Sequence, residues 1–230
     1  MPRQLAFNLP NGVALGRGDF YVSDANRAAL EAVENWRDWP GGKLVLTGPE
    51  GAGKTHLAHV FADLTGAEII APDALTQADP AALAGRNLVL EDLDRAAGDG
   101  AAEAAAFHLH NLILAEGGRL LITGRDAPGR WGLTLPDLAS RVAGATMHRL
   151  AMPDEALMMA LLMKLFADRQ IAASPSLIAY LAPRIERSFQ AAQEVVATLD
   201  AQALAEGVPL GRTLARRVLE ARDAPGLDLT

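Results

Sequence analysis

Residues 48–55 read GPEGAGKT, and this stretch constrains the fold more than any other part of the chain. A short apolar run, KLVLT (43–47), precedes it, and a helical pattern of apolar residues follows it. Closely spaced glycines let successive backbone amides point inward at an anion, and the helix that follows adds the positive end of its dipole. The stretch therefore predicts a strand, a phosphate-binding loop and a helix in direct succession.

The side chains of this loop have predicted roles as well. We expect Lys54 to reach the β- and γ-phosphates of a nucleotide, and the Thr55 hydroxyl to bind Mg²⁺. The other predicted nucleotide-binding residues of the segment are Gly48, Pro49, Gly51, Ala52, Gly53 and His56. Because so many positions agree with the P-loop pattern, a chance glycine-rich turn is a poor explanation.

Apolar runs alternate with helical patterns over the first 150 residues. Four more runs are AEIIA (67–71), NLVLE (87–91), RLLIT (119–123) and TMHRL (146–150), and the helical patterns cover 25–38, 54–65, 100–116 and 135–143. The apolar residues of each run are consecutive, as in a parallel sheet that is covered on both faces. The alternation predicts an α/β sandwich with a parallel five-stranded sheet.

Only helical patterns occur after Pro153. They cover 154–170, 174–187, 188–205 and about 211–222. Asp154 and Ser174 are suited to begin the first two of these helices, the second with a proline at its first position. We predict three parts: a tail (1–18), an α/β domain (19–152) and a small all-helical domain (153–230).

Composition narrows the function. The 230 residues carry a net charge of -7, which disfavours a general nucleic-acid binder, and no cysteine, which excludes disulfides and thiol catalysis. No apolar run reaches the length of about 18 residues needed to cross a membrane. We expect a cytoplasmic protein with no membrane partner.

Acidic residues end the run NLVLEDLDR. A P-loop needs an acid on a neighbouring strand, so Glu91 is predicted to hold Mg²⁺ through water and Asp92 to polarise an attacking water. Asp94 is expected to be a solvated acid at the strand end. Glu91 is one methylene longer than the usual first acid, and Asp92 is one shorter than the usual base. Since a displacement of about 1 Å can cost about a hundredfold in rate, we expect weak intrinsic hydrolysis.

Several segments, taken together, resemble the DnaA-related branch of the AAA+ family. Besides GPEGAGKTHL and the acidic strand, LLITGRDAPGRW resembles its sensor 1 strand, and LPDLASRVAGATMHRLAMPDE resembles its arginine-finger region. DFYVSDANRAALEAV (19–33) resembles the segment that this family places beside the adenine, which implies contacts from Tyr21 and Val22. The resemblance covers residues 19–220 and implies an AAA+ fold that binds ATP or ADP with Mg²⁺, the helical domain forming a lid.

The resemblance also assigns individual residues. It places Arg141 at the arginine finger, which enters a partner's site and stabilises the transferring phosphoryl group. Arg125 stands near the position where sensor 1 usually has Asp or Asn, with Thr123 as the candidate substitute that positions water. In the lid segment IERSFQAAQEVVATL, Ala191 occupies the usual sensor 2 arginine position, and Arg187, one turn earlier, is the candidate phosphate contact.

The beginning of the chain, QLAFNLP (4–10), resembles the sliding-clamp-binding peptide of Hda-type regulators. Gln4, Leu5, Phe7 and Leu9 would be the residues that bind the clamp. Because the sequence ends at Thr230, we expect the chain to lack the DNA-binding domain of DnaA. The resemblance implies regulatory inactivation of DnaA, with the sliding clamp (β subunit) and DnaA as partners, DNA reached through the clamp, and a second copy as a further candidate partner.

Other functions stay open on the residues alone. One is a self-contained AAA+ ATPase that remodels or loads DNA-associated proteins, another is a nucleotide kinase, and a third is an interaction protein without a nucleotide. Four arginines along the last helix, Arg212, Arg216, Arg217 and Arg222, could contact DNA. Arginines at helical spacing more often form a solvated face.

Overall fold

The computed structural model describes residues 16–223, which begin with a helix-covered parallel sheet. The strands are β1 (Lys43–Thr47), β2 (Glu68–Ile70), β3 (Leu88–Leu90), β4 (Leu120–Gly124) and β5 (Thr146–Arg149), in the order β2-β3-β4-β1-β5. The helices around them are α1 (Arg27–Glu34), α2 (Lys54–Thr65), α3 (Pro80–Leu83), α4 (Gly100–Ala115) and α5 (Pro136–Ala143). The predicted five-stranded parallel sheet is confirmed.

Two apolar cores cover the opposite faces of the sheet. Successive strand residues point to opposite faces, and β3 shows the pattern: Leu88 and Leu90 belong to one core and Val89 to the other. The register aligns Leu46 of β1 with Thr123 of β4. The carboxyl ends of β1, β3 and β4 therefore lie side by side, and the loops that follow them lie together at the carboxyl end of the sheet.

Strand β5 was predicted to be buried, but most of its side chains are exposed. It pairs with β1 at the edge of the sheet, and Thr146, Met147 and Arg149 are exposed, Met147 by 44%. An edge strand has a neighbour on one side only, so its side chains are less covered than those of β1 or β4. The apolar residue that does bury here is Leu150, whose amide donates to the Thr47 carbonyl.

Within the described residues four helices follow the sheet: α6 (Glu155–Asp168), α7 (Pro175–Leu181), α8 (Phe189–Glu206) and α9 (Arg212–Asp223). Asp154 and Ser174 cap α6 and α7 as predicted, accepting hydrogen bonds from the amides of Leu157 and Leu177 at 2.7 and 3.2 Å. The helices surround an apolar core of their own, so the predicted all-helical unit is confirmed. No helix within residues 16–223 is both long and apolar enough to cross a membrane.

The arginines of α9 contact groups of the same molecule. Three of them, Arg216, Arg217 and Arg222, form ion pairs with Glu220, Glu206 and Glu194. Arg212 lies over the ring of Tyr180, 5.1 Å from its centroid. These contacts favour a solvated, internally paired helix face over a DNA-binding one.

Candidate nucleotide-binding site

A cleft of about 420 Å³ opens where the carboxyl ends of the strands face the helical unit. Its polar side comes from the loops after β1, β3 and β4 and consists of Glu50, Lys54, Asp92, Arg95 and Arg125. Its apolar side comes from the segment before α1 and from α6 and α8, and consists of Phe20, Tyr21, Leu157, Leu161 and Phe189. The cleft thus joins a charged half, suited to phosphates, to an aromatic and aliphatic half, suited to a base.

Two glycines give the loop between β1 and α2 its shape. Gly51 and Gly53 adopt φ values of +77° and +99°, which glycine reaches without strain. A Cβ on Gly51 would lie 2.4 Å from the Cβ of Ser188, the N-cap residue of α8. Only glycine fits this contact, so the loop touches the helical unit directly.

Lys54 begins α2 and lies inside the loop. Its Nζ donates to the carbonyl oxygens of Gly48 and Pro49 at 2.8 and 3.1 Å, and the residue is only 7% exposed. Burial lowers the pKa of Lys54, while the nearby carboxylates of Asp92 and Asp94 oppose that shift. The ammonium group is therefore placed among the backbone groups that would surround a phosphate.

The predicted acid pair lies directly beyond β3. Asp92 has a left-handed backbone, with φ +44°, and its amide donates to the Thr123 hydroxyl at 2.8 Å. Thr123 is fully buried in β4. The side chain that was predicted to position water thus ties the acid loop to the neighbouring strand, and this contact fixes where the Asp92 backbone lies.

Two carboxylate oxygens of the acidic segment after β3 are buried without a hydrogen bond. Glu91 Oε1 and Asp94 Oδ1 are buried and have no hydrogen-bond partner among the described residues. Asp94 was predicted to be solvated, and this prediction is wrong, because its other oxygen accepts from the Arg125 amide at 3.2 Å. Buried oxygens of this kind are costly unless a cation or water satisfies them.

These residues fit a Mg²⁺ ion that binds together with a nucleotide. Mg²⁺ is usually held by one or two carboxylates, waters and phosphate oxygens rather than by an all-protein cage. Within residues 16–223 no group of three or more His, Asp or Glu side chains is arranged to hold a metal. Thr55 is exposed at the start of α2, where its hydroxyl can face the cleft opening.

The segment before α1 forms one wall of the apolar side. Tyr21 lines the cleft and is 47% exposed, whereas Val22 packs against the core beneath it. Asn26 folds the segment, since its side chain accepts from the Ser23 amide at 2.8 Å and donates to the Tyr21 carbonyl at 2.9 Å. Of the two predicted adenine contacts, the structure brings Tyr21 to the cleft.

His56 supports the same wall. Its ring meets Phe20 and Phe189 edge-on, with centroids 5.0 and 5.9 Å apart, and its Nε2 lies 3.1 Å from the Gly16 carbonyl oxygen. The predicted site residue His56 thus joins aromatic side chains from both units around the cleft.

Sequence reasoning missed most of the apolar side and Arg95. Phe20 could have been found, because it adjoins Tyr21 in the same segment. Leu157, Leu161 and Phe189 carried no such signal, since their place in the cleft depends on how α6 and α8 pack against the loop.

The two candidate sensor 2 positions, Arg187 and Ala191, do not line the cleft. Arg187 is exposed and is not among the described residues that line the cleft. Ala191 is buried in the first turn of α8, where its amide donates to Ser188 Oγ at 3.1 Å. The structure therefore does not bring Arg187 together with the P-loop residues of the cleft.

Arg141 is exposed near the end of α5, at the amino end of the sheet and so opposite the cleft. Its carbonyl oxygen accepts from Lys43 Nζ at 2.6 Å. Lys43 begins β1 and Gly48 follows its end, a separation of about 16 Å along the strand. Arg141 therefore lies away from the cleft of its own chain.

The predicted clamp-binding residues Gln4, Leu5, Phe7 and Leu9 lie outside the described residues.

Comparison with solved structures identifies the fold. The chain is similar to domain III of the Thermotoga maritima replication initiation protein DnaA, with TM-score 0.82 and 17% identity over 94% of this chain and 100% of that chain. The fold is that of DnaA domain III. The predicted fold, a five-stranded parallel α/β sheet followed by a helical unit, is thereby confirmed, although no family model matches the sequence.

Two more solved structures share the fold at lower similarity. An AMPPCP-bound DnaA from Aquifex aeolicus has TM-score 0.70 and 18% identity, over 89% of this chain and 68% of that chain. The Thermotoga maritima RuvB branch migration motor has TM-score 0.68 and 18% identity, over 87% of this chain and 70% of that one.

Proposed function

We propose that the cleft binds ATP or ADP. The observation that carries the proposal is the convergence of Lys54 and the glycine loop with acids on one side and with Phe20, Tyr21 and Phe189 on the other. The phosphates would replace the Gly48 and Pro49 carbonyls as partners of Lys54, and the base would pack on the aromatic side. Structures with this fold include DnaA bound to AMPPCP, which supports the proposal.

Mg²⁺ would bind with the nucleotide, held by the Thr55 hydroxyl and, through water, by Glu91. When bound, it neutralises charge on the phosphate oxygens. Asp92 would orient an attacking water, while the buried Thr123, the predicted water-positioning residue, would act only through its hydrogen bond to the Asp92 amide. The shortened acid at position 92 and the absence of an arginine at Ala191 favour slow hydrolysis of the chain's own nucleotide.

The chemistry that the chain promotes would occur in a partner. An exposed arginine at the amino end of the sheet, away from the P-loop of its own chain, is suited to another molecule's site. We propose that Arg141 enters the ATP site of DnaA and stimulates hydrolysis there, which makes the chain a regulator of replication initiation. Residues 19–152 and 153–230 would act as nucleotide-binding domain and lid, and the tail 1–18 would hold the sliding clamp.

The test is the rate of ATP hydrolysis by DnaA in the presence of this chain and clamp-loaded DNA. Arg141→Ala should reduce the stimulation by at least about a hundredfold, because an arginine finger contributes roughly 10³ to 10⁵ in rate. Arg149→Ala, which removes an exposed arginine at the other end of the sheet, beside the last residue of β1, is the control and should retain stimulation. Full stimulation by Arg141→Ala would refute the proposed finger.

Clamp binding has its own test. Calorimetric titration of the chain into the sliding clamp should show micromolar binding that is lost when Gln4, Leu5 and Phe7 are all changed to alanine. Equal binding by the parent and the variant would remove the tail from the proposal. Rapid DNA-stimulated turnover by this chain alone would instead support a self-contained ATPase.

A further inference from the structure

We propose that Gln193 recognises the base of the nucleotide and makes the cleft select adenine over guanine. Its side-chain carbonyl would accept from the 6-amino group of adenine, and its NH₂ group would donate to N7. This role, which rests on the proposed nucleotide site, makes Gln193 the residue that determines which purine is bound.

Gln193 faces the cleft from α8. It is half-buried and lines the cleft together with Phe189, which lies four residues earlier. Residues four apart lie on the same face of a helix, so the aromatic ring and the carboxamide follow each other along α8. Leu157 and Leu161 of α6 have the same spacing and complete this part of the lining. Gln193 is therefore a polar group on the apolar side of the cleft.

The position along α8 places Gln193 on the base side rather than the phosphate side. Helix α8 begins at the phosphate-binding loop, because its N-cap residue Ser188 lies against Gly51. Gln193 is five residues further on, about 7.5 Å along the helix axis. The phosphates would lie at the loop with Lys54, so a base that packs on Phe189 would be the part of the nucleotide within reach of Gln193.

The hydrogen-bonding capacity of Gln193 is not used by the protein. Of the described residues that line the cleft, three carry a carboxamide: Asn26, Gln190 and Gln193. Asn26 bonds within its own segment, and Gln190 donates to Glu194 Oε1 at 2.9 Å. The Gln193 side chain makes no hydrogen bond with any residue in 16–223, so one donor group and one acceptor remain for a ligand.

A carboxamide matches one edge of adenine and not the same edge of guanine. Adenine presents a donor, the 6-amino group, beside the acceptor N7, and a glutamine side chain pairs with both at once. Guanine presents two acceptors there, O6 and N7. The carboxamide oxygen would then face an acceptor, so guanine forms fewer hydrogen bonds with Gln193 and meets a repulsive contact.

Removal of the carboxamide should lower the affinity for adenine nucleotides selectively. Gln193→Leu should weaken ATP binding about tenfold, within the range for one bidentate pair with a base, and change GTP binding less than about twofold. Gln202→Leu is the matched control, because it makes the same change further along α8 and outside the cleft lining. It should alter neither affinity.

Adenine analogues test the pair atom by atom. Purine riboside triphosphate lacks the 6-amino group, and 7-deaza-ATP lacks the N7 acceptor. Each should bind the parent chain about fivefold less tightly than ATP, the loss of roughly one hydrogen bond. Gln193→Leu should bind all three equally, because the group that recognises these atoms is gone. A general loosening of the cleft would instead preserve the differences between the three nucleotides.

The experiment is calorimetric titration of the full chain and the two variants with these nucleotides and with GTP, each with Mg²⁺. A preference for ATP over GTP that is lost in Gln193→Leu and retained in Gln202→Leu supports base recognition by Gln193. Equal affinity of the parent for ATP and GTP, or a preference that survives in Gln193→Leu, would overturn it and leave the nucleotide site intact. Failure of the parent to bind any nucleotide would overturn the proposed nucleotide site as well.

Discussion

The two ends of the parallel sheet hold their charged groups in different ways. At the carboxyl ends, Lys54, Asp92 and Arg125 line one concave cleft. At the amino ends, Lys43 binds the carbonyl of Arg141 and lies 3.3 Å from His110, while the Arg141 side chain is exposed. Groups that converge on a cleft serve a ligand of their own chain, and an exposed arginine on a fixed helix is suited to a site on another molecule.

The largest expected effect compares Lys43, at the amino end of β1, with Lys54, which begins α2 after the loop at the carboxyl end of β1. Lys54→Ala should weaken ATP binding by at least about a hundredfold, because it removes the buried cation from the phosphate loop. Lys43→Ala, the matched change at the other end, should leave ATP affinity within about twofold. Calorimetry with ATP measures both, and an equal loss in the two variants would remove the distinction between the ends.

Glu103, a buried residue of α4, holds the segment that leads into α5. It is fully buried, and its oxygens accept from the amides of Gly98, Thr134 and Leu135, and from the Thr134 hydroxyl. Burial alone would raise the pKa of Glu103, but these hydrogen bonds outweigh it and lower the pKa. Thr134 and Leu135 lead directly into α5, so this carboxylate fixes the beginning of the helix that carries Arg141.

Glu103→Gln should therefore destabilise the fold. An amide NH₂ would face backbone donors, and such a mismatch typically costs about 1–3 kcal/mol for each group left without a partner. The matched control is Glu116→Gln, an exposed change just after α4, the helix that contains Glu103. It should alter the free energy of unfolding by less than about 0.5 kcal/mol. Urea denaturation measures both, and equal stability of the two variants would refute the proposed role of Glu103.

The smallest expected effect is on how the stability of the fold depends on pH, through His110 at the amino end of the sheet. Burial lowers the pKa of His110, and the positive charges of Lys43 and Arg141 lower it further, against a hydrogen bond with Asn111. The unfolded chain takes up this proton near pH 6.5 and the folded chain resists it, so stability is full above that pH and falls as the pH drops below it.

His110→Gln should reduce the loss of thermal stability between pH 7.5 and pH 5.5, because it removes this proton uptake. His108→Gln, two residues earlier and exposed, is the matched control and should retain the loss of the parent chain. Melting temperatures at the two pH values provide the measurement. A parent-like loss in His110→Gln would mean that His110 does not contribute to the pH response.

Local sequence signals predicted much of the fold. The glycine loop lies between β1 and α2, and Asp154 and Ser174 cap their helices, because each of these features depends on a few adjacent residues. Strand β5 was misjudged, since its apolar residues do not reveal that it lies at the sheet edge. Burial of a strand depends on its neighbours in space, which a short run does not specify.

The candidate site was predictable on most of its polar side and, through Tyr21, on a small part of its apolar side. Lys54 and Asp92 belong to motifs with fixed spacing, so their place in the cleft followed from the sequence. Leu157 and Phe189 reach the cleft because Ser188, the N-cap of α8, lies against Gly51 and because α6 packs on α8, and no local pattern encodes either contact. Asp94 was misassigned for the same reason, because its hydrogen bond comes from the amide of Arg125, which directly follows another strand.

The central claim is that this chain keeps its own nucleotide and promotes hydrolysis in a partner. The most direct measurement loads γ-labelled ATP on either this chain or DnaA, mixes it with the unlabelled partner and clamp-loaded DNA, and follows phosphate release in a single turnover. The account predicts fast release when DnaA carries the label and slow release when this chain carries it. Fast release from this chain, with no acceleration in DnaA, would contradict the account and identify a self-contained ATPase.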